Sequence, residues 1–277
     1  LSDVNPNLRN TNETESQWCD KKVAELEEKI LKLGAENVAA FVAEPILASG
    51  GVVIPPKGYH KKTKTICEKY EVLYISDEVV TGFGRLGHWF ASEEAFDIIP
   101  DIITCAKGLT SGYIPMGATI ISNKLMQNLQ NTNYEEIIFS NGFTYSGHPV
   151  SAAAGLKVIE IMERENTLQH VQSIIPLFQE RLKAIETKFS IVKEARGLGL
   201  LGCLEGNIGT ATTEESKLKK DYDFGSLIDK AAEKRGLIIR PIINMCVFSP
   251  PLTITKEEIN ILFDILQESL KEVENTI

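Results

Sequence analysis

Residues 72–87, VLYISDEVVTGFGRLG, and 101–118, DIITCAKGLTSGYIPMGA, decide the fold. Each begins with a short apolar run, reaches ionisable residues (Asp77 and Glu78 in the first, Lys107 in the second) and passes into a glycine-rich turn. Nearly unbroken apolar runs of this length read as strands covered on both faces. Residues 38–45, VAAFVAEP, predict another strand, ending at Glu44, and 116–122, MGATIIS, a fourth. Residues 57–71, KGYHKKTKTICEKYE, read as a helix between the first two strands. Upstream, Val23, Leu26, Ile30 and Leu33 fall on one face of a helix that Gly34 would stop. Strands alternating with helices imply βαβ units and a mostly parallel sheet covered by helices, the α/β class. Ligands bind such sheets at the carboxyl ends of the strands. Glu44, Asp77 and Lys107 are therefore predicted to share one edge.

The pattern changes after Pro149. Helices are predicted over 151–165 and 167–188, then a strand in 196–206, RGLGLLGCLEG. The polar stretch 206–223 carries no apolar periodicity and reads as a surface loop. A helix at 224–235, strands at 237–241 and 246–251, and a last helix over 256–273 complete the chain. A boundary near Glu165 divides it into 1–165 and a smaller α+β unit, 166–277.

Composition narrows the function classes. A net charge of -9 argues against a nucleic-acid backbone or an anionic membrane surface as the main partner. No apolar run approaches the roughly 20 residues that a membrane span needs. The polar residues 1–16 lack the apolar core of a signal peptide. Five cysteines, odd in number and widely spaced, form no CxxC pair, so neither a disulfide framework nor a zinc site is expected. Reduced cysteines fit a cytoplasmic protein. The chain opens at Leu1 rather than at Met, which suggests a piece of something longer.

Lys107 and Asp77 carry the chemistry. A lysine at the end of a buried strand is costly unless its charge is paired or removed; the neutral amine is the form that attacks a carbonyl. Taken alone, Lys107 reads more readily as a lysine snorkelling to the surface than as a catalyst. Asp77, delivered to the same edge by the neighbouring unit, makes the pair more specific. A carboxylate beside a pyridinium nitrogen keeps such a ring protonated and electron-withdrawing. The glycines at 82, 84, 87, 108 and 112 would allow close approach of backbone to a ligand.

The segments EPILASGGV, ISDEVVTGFGRLG, ITCAKGLTSGYIPMGA, NGFTYSGHP and RGLIIRP followed by SPPLTIT occur in this order. Together they resemble the class III (ω-) aminotransferases, closest to the ω-amino acid or amine:pyruvate group. The resemblance runs from about Trp18 to the end of the chain. It implies a fold type I enzyme dependent on pyridoxal 5'-phosphate (PLP), and a homodimer with active sites shared between subunits. Residues 1–165 would be the C-terminal part of the large PLP-binding domain, and 166–277 the small domain. Lys107 matches the Schiff-base lysine, Asp77 the partner of the pyridinium nitrogen and Val79 the apolar residue packed on the ring. Thr144 matches the threonine that reaches the phosphate of the partner subunit's cofactor. Arg240 matches an arginine that binds a substrate carboxylate. Glu44 matches a glutamate near the active site, and Trp89 a candidate for the pocket wall. Glu44 reads equally as a loop anchor and Arg240 as a surface arginine; taken alone, Trp89 reads more readily as core and Thr144 as a turn hydroxyl.

The resemblance implies transamination from an amine or ω-amino acid to a keto acid such as pyruvate. An aminomutase of the glutamate-1-semialdehyde type shares the scaffold and the lysine. Val80 stands where some relatives carry a glutamine, which points away from the ornithine and 4-aminobutyrate branches, and Asn141 where many carry a histidine. The family's N-terminal phosphate loop and ring-stacking aromatic have no counterpart here. A truncated, inactive chain with only an interaction role is the remaining alternative.

Overall fold

The computed structural model describes residues 1–131, 142–207 and 213–276; Asn141 lies outside them. The chain forms two compact units. The first comprises residues 1–45, 55–83 and 88–166; the second comprises 46–54, 84–87 and 167–277.

The first unit begins with α1 (Glu15–Leu33). Thr14 opens it with a reciprocal capping box to Gln17, and Gly34, at φ 82°, ends it. Strand β1 (Ala40–Ala43) follows, then α2 (Tyr59–Lys69), β2 (Leu73–Asp77), the short α3 (Ala91–Glu94), β3 (Ile102–Cys105), β4 (Ala118–Ile121), α4 (Asn123–Asn131) and α5 (Pro149–Arg164). The sheet order is β1-β2-β3-β4. Strands β1, β2 and β3 are parallel; β4 runs antiparallel to β3. The helices α1 and α2 bury Leu26, Ile30 and Cys67 against Val72, Tyr74 and Ile98. Fully burying an Ile or Leu side chain contributes about 1.5–3 kcal/mol. This small core holds α1 and α2 on the sheet.

The second unit contains α6 (Thr167–Glu186), β5 (Val192–Leu198), β6 (Leu201–Gly206), α7 (Glu214–Glu233), β7 (Arg240–Ile242), β8 (Met245–Phe248) and α8 (Lys256–Glu274). Its sheet, β5-β6-β8-β7, is antiparallel throughout. Phe178, Leu182, Phe224, Phe263 and Leu266 form its centre. Two short excursions from the N-terminal half join it through polar contacts. Arg196 Nε donates to Gly51 O at 2.7 Å, and Arg85 Nη1 donates to Leu200 O at 3.0 Å and Pro250 O at 2.7 Å. Burial pushes the Arg85 guanidinium down to about 10.

Three expectations need correction. The stretch 206–223 is not all loop, because α7 starts at Glu214 under a capping box between Thr213 and Ser216. Its polar first turns hid a helix whose apolar anchors, Phe224 and Ile228, come later. Strand β1 ends at Ala43, one residue short of Glu44. Strand β3 ends at Cys105, so Lys107 stands beyond the strand and opens a turn. Among the described residues no helix is long and apolar enough to cross a membrane.

Candidate active site

The parallel register builds the site. Ala43 pairs with Ser76 and Asp77 with Thr104. Glu44 and Lys107 thus leave β1 and β3 at the edge where Asp77 ends β2. These three predicted residues lie at the carboxyl ends of adjacent strands, where α/β sheets bind ligands.

Asp77 and Glu78 divide by the pleat of β2. Val72, Tyr74, Ser76 and Glu78 are buried, while Leu73, Ile75, Asp77 and Val79 are half-buried. Successive strand residues point to opposite faces, so the two acids serve different surroundings. Asp77 Oδ1 accepts from the backbone N–H of Val79 at 3.1 Å. This ties the carboxylate to the turn that presents Val79, and leaves its second oxygen for a ligand.

Glu78 was not singled out by sequence, yet it organises the turn. Its side chain is fully buried. Oε2 accepts from Thr81 Oγ1 at 3.0 Å and from Ala91 N at 2.7 Å; Oε1 accepts from Ser92 N at 2.8 Å and from the Ser92 hydroxyl. Ser92 Oγ lies 2.8 Å from Ser76 Oγ. An ionised carboxylate only accepts, and here it meets four donors. The available signal was the period-two pattern, which puts Glu78 on the same face as Tyr74 and Ser76.

Lys107 adopts φ 38°, in the left-handed region that non-glycine residues rarely occupy. Its side chain is exposed. Gly108 explains how the turn is held. A Cβ there would lie 2.8 Å from Phe83 Cβ and 3.4 Å from Gly82 O, and one on Gly82 would lie 2.9 Å from Glu78 O. The turn after Lys107 therefore packs directly on the turn after Asp77, and only glycine permits that approach. Past it, Thr110 Oγ1 donates to Ile114 O at 2.7 Å, closing the loop.

Trp89 is half-buried, its ring 6.2 Å from that of Phe83 and nearly perpendicular to it. Phe83 N donates to Trp89 O at 2.7 Å, so residues 83 and 89 form a closed neck. Trp89 is thus packed at the base of this loop. Thr144 is exposed in the turn before α5, where Phe143 N donates to Ser146 Oγ at 2.8 Å and Ser146 N to Phe143 O at 2.9 Å. Among the described residues no hydrogen bond joins Thr144 to Asp77 or Lys107. Arg240 is exposed on β7, in the second unit.

A carboxylate at the end of β2, an apolar Val79 in the turn that follows it, and an amine just past the end of β3 are the residue types that a pyridinium aldehyde would need. These residue types fit such a cofactor. Comparison with known proteins makes the assignment specific. The sequence pattern of the class-III aminotransferases matches residues 2–270, and the chain belongs to that family, whose members depend on PLP. It is 39% identical over 269 residues to a probable gamma-aminobutyrate transaminase 4 of Oryza sativa subsp. japonica, covering 96% of this chain and 54% of the relative. It is 40% identical over 270 residues to the uncharacterized aminotransferase y4uB of Sinorhizobium fredii, covering 95% of this chain and 56% of that one. The omega transaminase of Pseudomonas jessenii, solved in complex with PMP, superposes with a TM-score of 0.90 at 30% identity, covering 100% of this chain and 60% of that structure. The chain thus spans about half the length of the curated relatives it matches.

Proposed function

We propose that the protein is a PLP-dependent transaminase that moves an amino group from an amine or ω-amino acid to a keto acid such as pyruvate. The observation that carries this reading is the docking of the Lys107 turn onto the Asp77 turn through Gly82 and Gly108. It brings the turn that carries an amine against the turn that carries a carboxylate at one sheet edge, in a chain of the class-III family.

When bound, PLP supplies an electron-accepting ring and a carbonyl carbon that can carry the amino group. The residues of this chain do the rest. Asp77 pairs its carboxylate with the ring nitrogen and keeps a proton there, while the Val79 N–H fixes its rotamer. Val79 packs on the ring face. Lys107 Nζ would hold the cofactor covalently and, when free, its amine would serve as the base and then the acid that moves a proton away from the donor carbon. Its exposed position gives the amine the freedom this exchange needs. Arg240 offers a planar fork to the carboxylate of a keto acid or amino acid, with Glu44 and Trp89 as further substrate contacts. Thr144, on its exposed turn, donates to the phosphate of a partner subunit's cofactor in a homodimer. Exposed Phe143, Tyr145, Val150 and Leu156 supply apolar surface for such a contact. All five cysteines are buried and free, which fits a reducing compartment such as the cytoplasm. The probable gamma-aminobutyrate transaminases among the relatives remove the ground for excluding 4-aminobutyrate on Val80, and that donor stays within the class.

The complete protein should develop the visible absorbance of lysine-bound PLP, and Lys107→Ala should abolish both that band and turnover of amine donors with pyruvate. A Lys107→Ala protein that keeps the band and the turnover would refute the assignment.

A further inference from the structure

We infer that Glu78 is a positioning residue for the cofactor's anionic partner, holding Asp77 and Val79 in place without touching the cofactor. The inference rests on the reading that Asp77 and Lys107 hold PLP. Its basis is the geometry of a carboxylate that faces away from the proposed ligand and grips both ends of one loop.

Glu78 is the middle residue of the hydrogen-bonded turn from Asp77 to Val79. Its backbone is held on both sides: Glu78 N donates to Thr104 O at 2.8 Å, and Gly82 N donates to Glu78 O at 3.0 Å. Its carboxylate then joins Thr81, four residues beyond the end of β2, to Ala91 and Ser92 at the start of α3. The 78–92 loop contains Val79 and, at the neck, Trp89. The rotamer of Asp77 is set by a single bond to Val79 N, so whatever fixes the peptide between them fixes Asp77. Among the described residues, the side chain that ties this segment to the rest of the loop is the buried Glu78 carboxylate. A glutamine of the same shape would keep one acceptor oxygen but turn its NH₂ on a backbone N–H, that of Ala91 or of Ser92, which can only donate. The turn would then shift, because unsatisfied buried donors are costly enough to drive rearrangement. Asp77 would lose its alignment with a ring nitrogen whose protonation depends on its distance.

The test uses the complete protein. Glu78→Gln is compared with wild type and with Ile30→Ala, a core truncation on α1 that lowers stability away from the site. Three quantities are read: PLP affinity by titration, the pH midpoint of the bound cofactor's visible band, and the Tm of the cofactor-free protein. Glu78→Gln should weaken PLP binding by about tenfold or more and displace the pH midpoint, whereas Ile30→Ala should lower Tm while leaving both in place. Wild-type affinity and midpoint in Glu78→Gln would overturn the inference, as would equal changes in Ile30→Ala. If Glu78→Gln does not fold, Ser92→Ala removes the hydroxyl donor alone and should give a several-fold loss with the midpoint displaced in either direction; wild-type values there also overturn it. Failure of the underlying reading looks different: a wild-type protein without the band, or a Lys107→Ala protein that keeps it.

Discussion

Acidification from pH 7.5 to 5 should remove about 2 kcal/mol of stability from the first unit through one residue, His60. The ring is buried between α2 and β2, with Nε2 at 2.9 Å from Pro45 O and Nδ1 at 2.7 Å from the Tyr74 hydroxyl. A carbonyl only accepts, so Nε2 carries the proton and Nδ1 accepts from Tyr74. The remaining surroundings are the ring edges of Tyr59 and Phe96, with centroids at 5.4 and 5.0 Å. An imidazolium there would lose its hydration with no anion to replace it, and burial pushes the ring down to about 4. In the unfolded chain the same ring takes its proton near 6.5. Between these values the unfolded state binds a proton that the native state refuses. The contribution is therefore fully present above about 6.5 and declines as pH falls, by about 1.4 kcal/mol per unit, until both states are protonated below about 4. The whole window amounts to about 3 kcal/mol, and the interval from pH 7.5 to 5 to about 2 kcal/mol. Urea unfolding followed by tryptophan fluorescence reads this unit, since Trp18 and Trp89 both belong to it. His60→Gln lacks the titrating ring and should be less stable at pH 7.5 by about 1–3 kcal/mol through mismatched hydrogen bonds. Its deficit relative to wild type should shrink by about 2 kcal/mol at pH 5. A deficit that stays constant or grows on acidification would refute the reasoning.

Two further predictions concern backbone and packing. Lys107 occupies φ 38°, where glycine is at home and alanine is not, so Lys107→Gly should be more stable than Lys107→Ala by about 1 kcal/mol in thermal unfolding of the cofactor-free protein; equal Tm values would show that the turn relaxes. Gly206 faces the fully buried Phe224 ring, and a Cβ there would lie 2.3–2.4 Å from three ring carbons. Gly206→Ala should destabilise the second unit by about 1–3 kcal/mol, whereas the same change at Gly58, with nothing within 4 Å of its Cβ position, should show only the cost of its positive φ.

The parallel strands were legible because β1, β2 and β3 carry nearly unbroken apolar runs, although here Val42 is exposed and alternate residues of β2 are only half-buried. The shared edge of Glu44, Asp77 and Lys107 followed from those runs. The roles given to Thr144 and Arg240 came only from matching family segments, and the structure adds their exposure without joining them to Lys107. What stayed hidden depends on distant partners. Nothing local announces that residues 46–54 and 84–87 belong with the second unit, since that is decided by Arg196 meeting Gly51 and by Arg85 meeting the carbonyls of Leu200 and Pro250. The start of α7 was missed because a capping box, and not apolar periodicity, begins it.

The neighbours Asp77 and Glu78 mark where sequence reading stops short of mechanism. Both are acids at a strand end, and composition treats them alike. The pleat separates them: one carboxylate keeps a free oxygen at the ligand edge, and the other is consumed by four internal donors. The same division applies at Lys107 and Gly108. A lysine in a left-handed conformation carries strain of about 1–2 kcal/mol, and such strain persists only where the surroundings over-determine it. Gly108 provides that constraint by letting the turn sit against Phe83 and Gly82. The backbone of Lys107 is thus held by a residue with no side chain, and under the proposed function Asp77 is held by one whose side chain faces the other way. Substitutions at Glu78 and Gly108 should therefore impair the site as surely as those at Asp77 and Lys107, although neither residue meets the ligand.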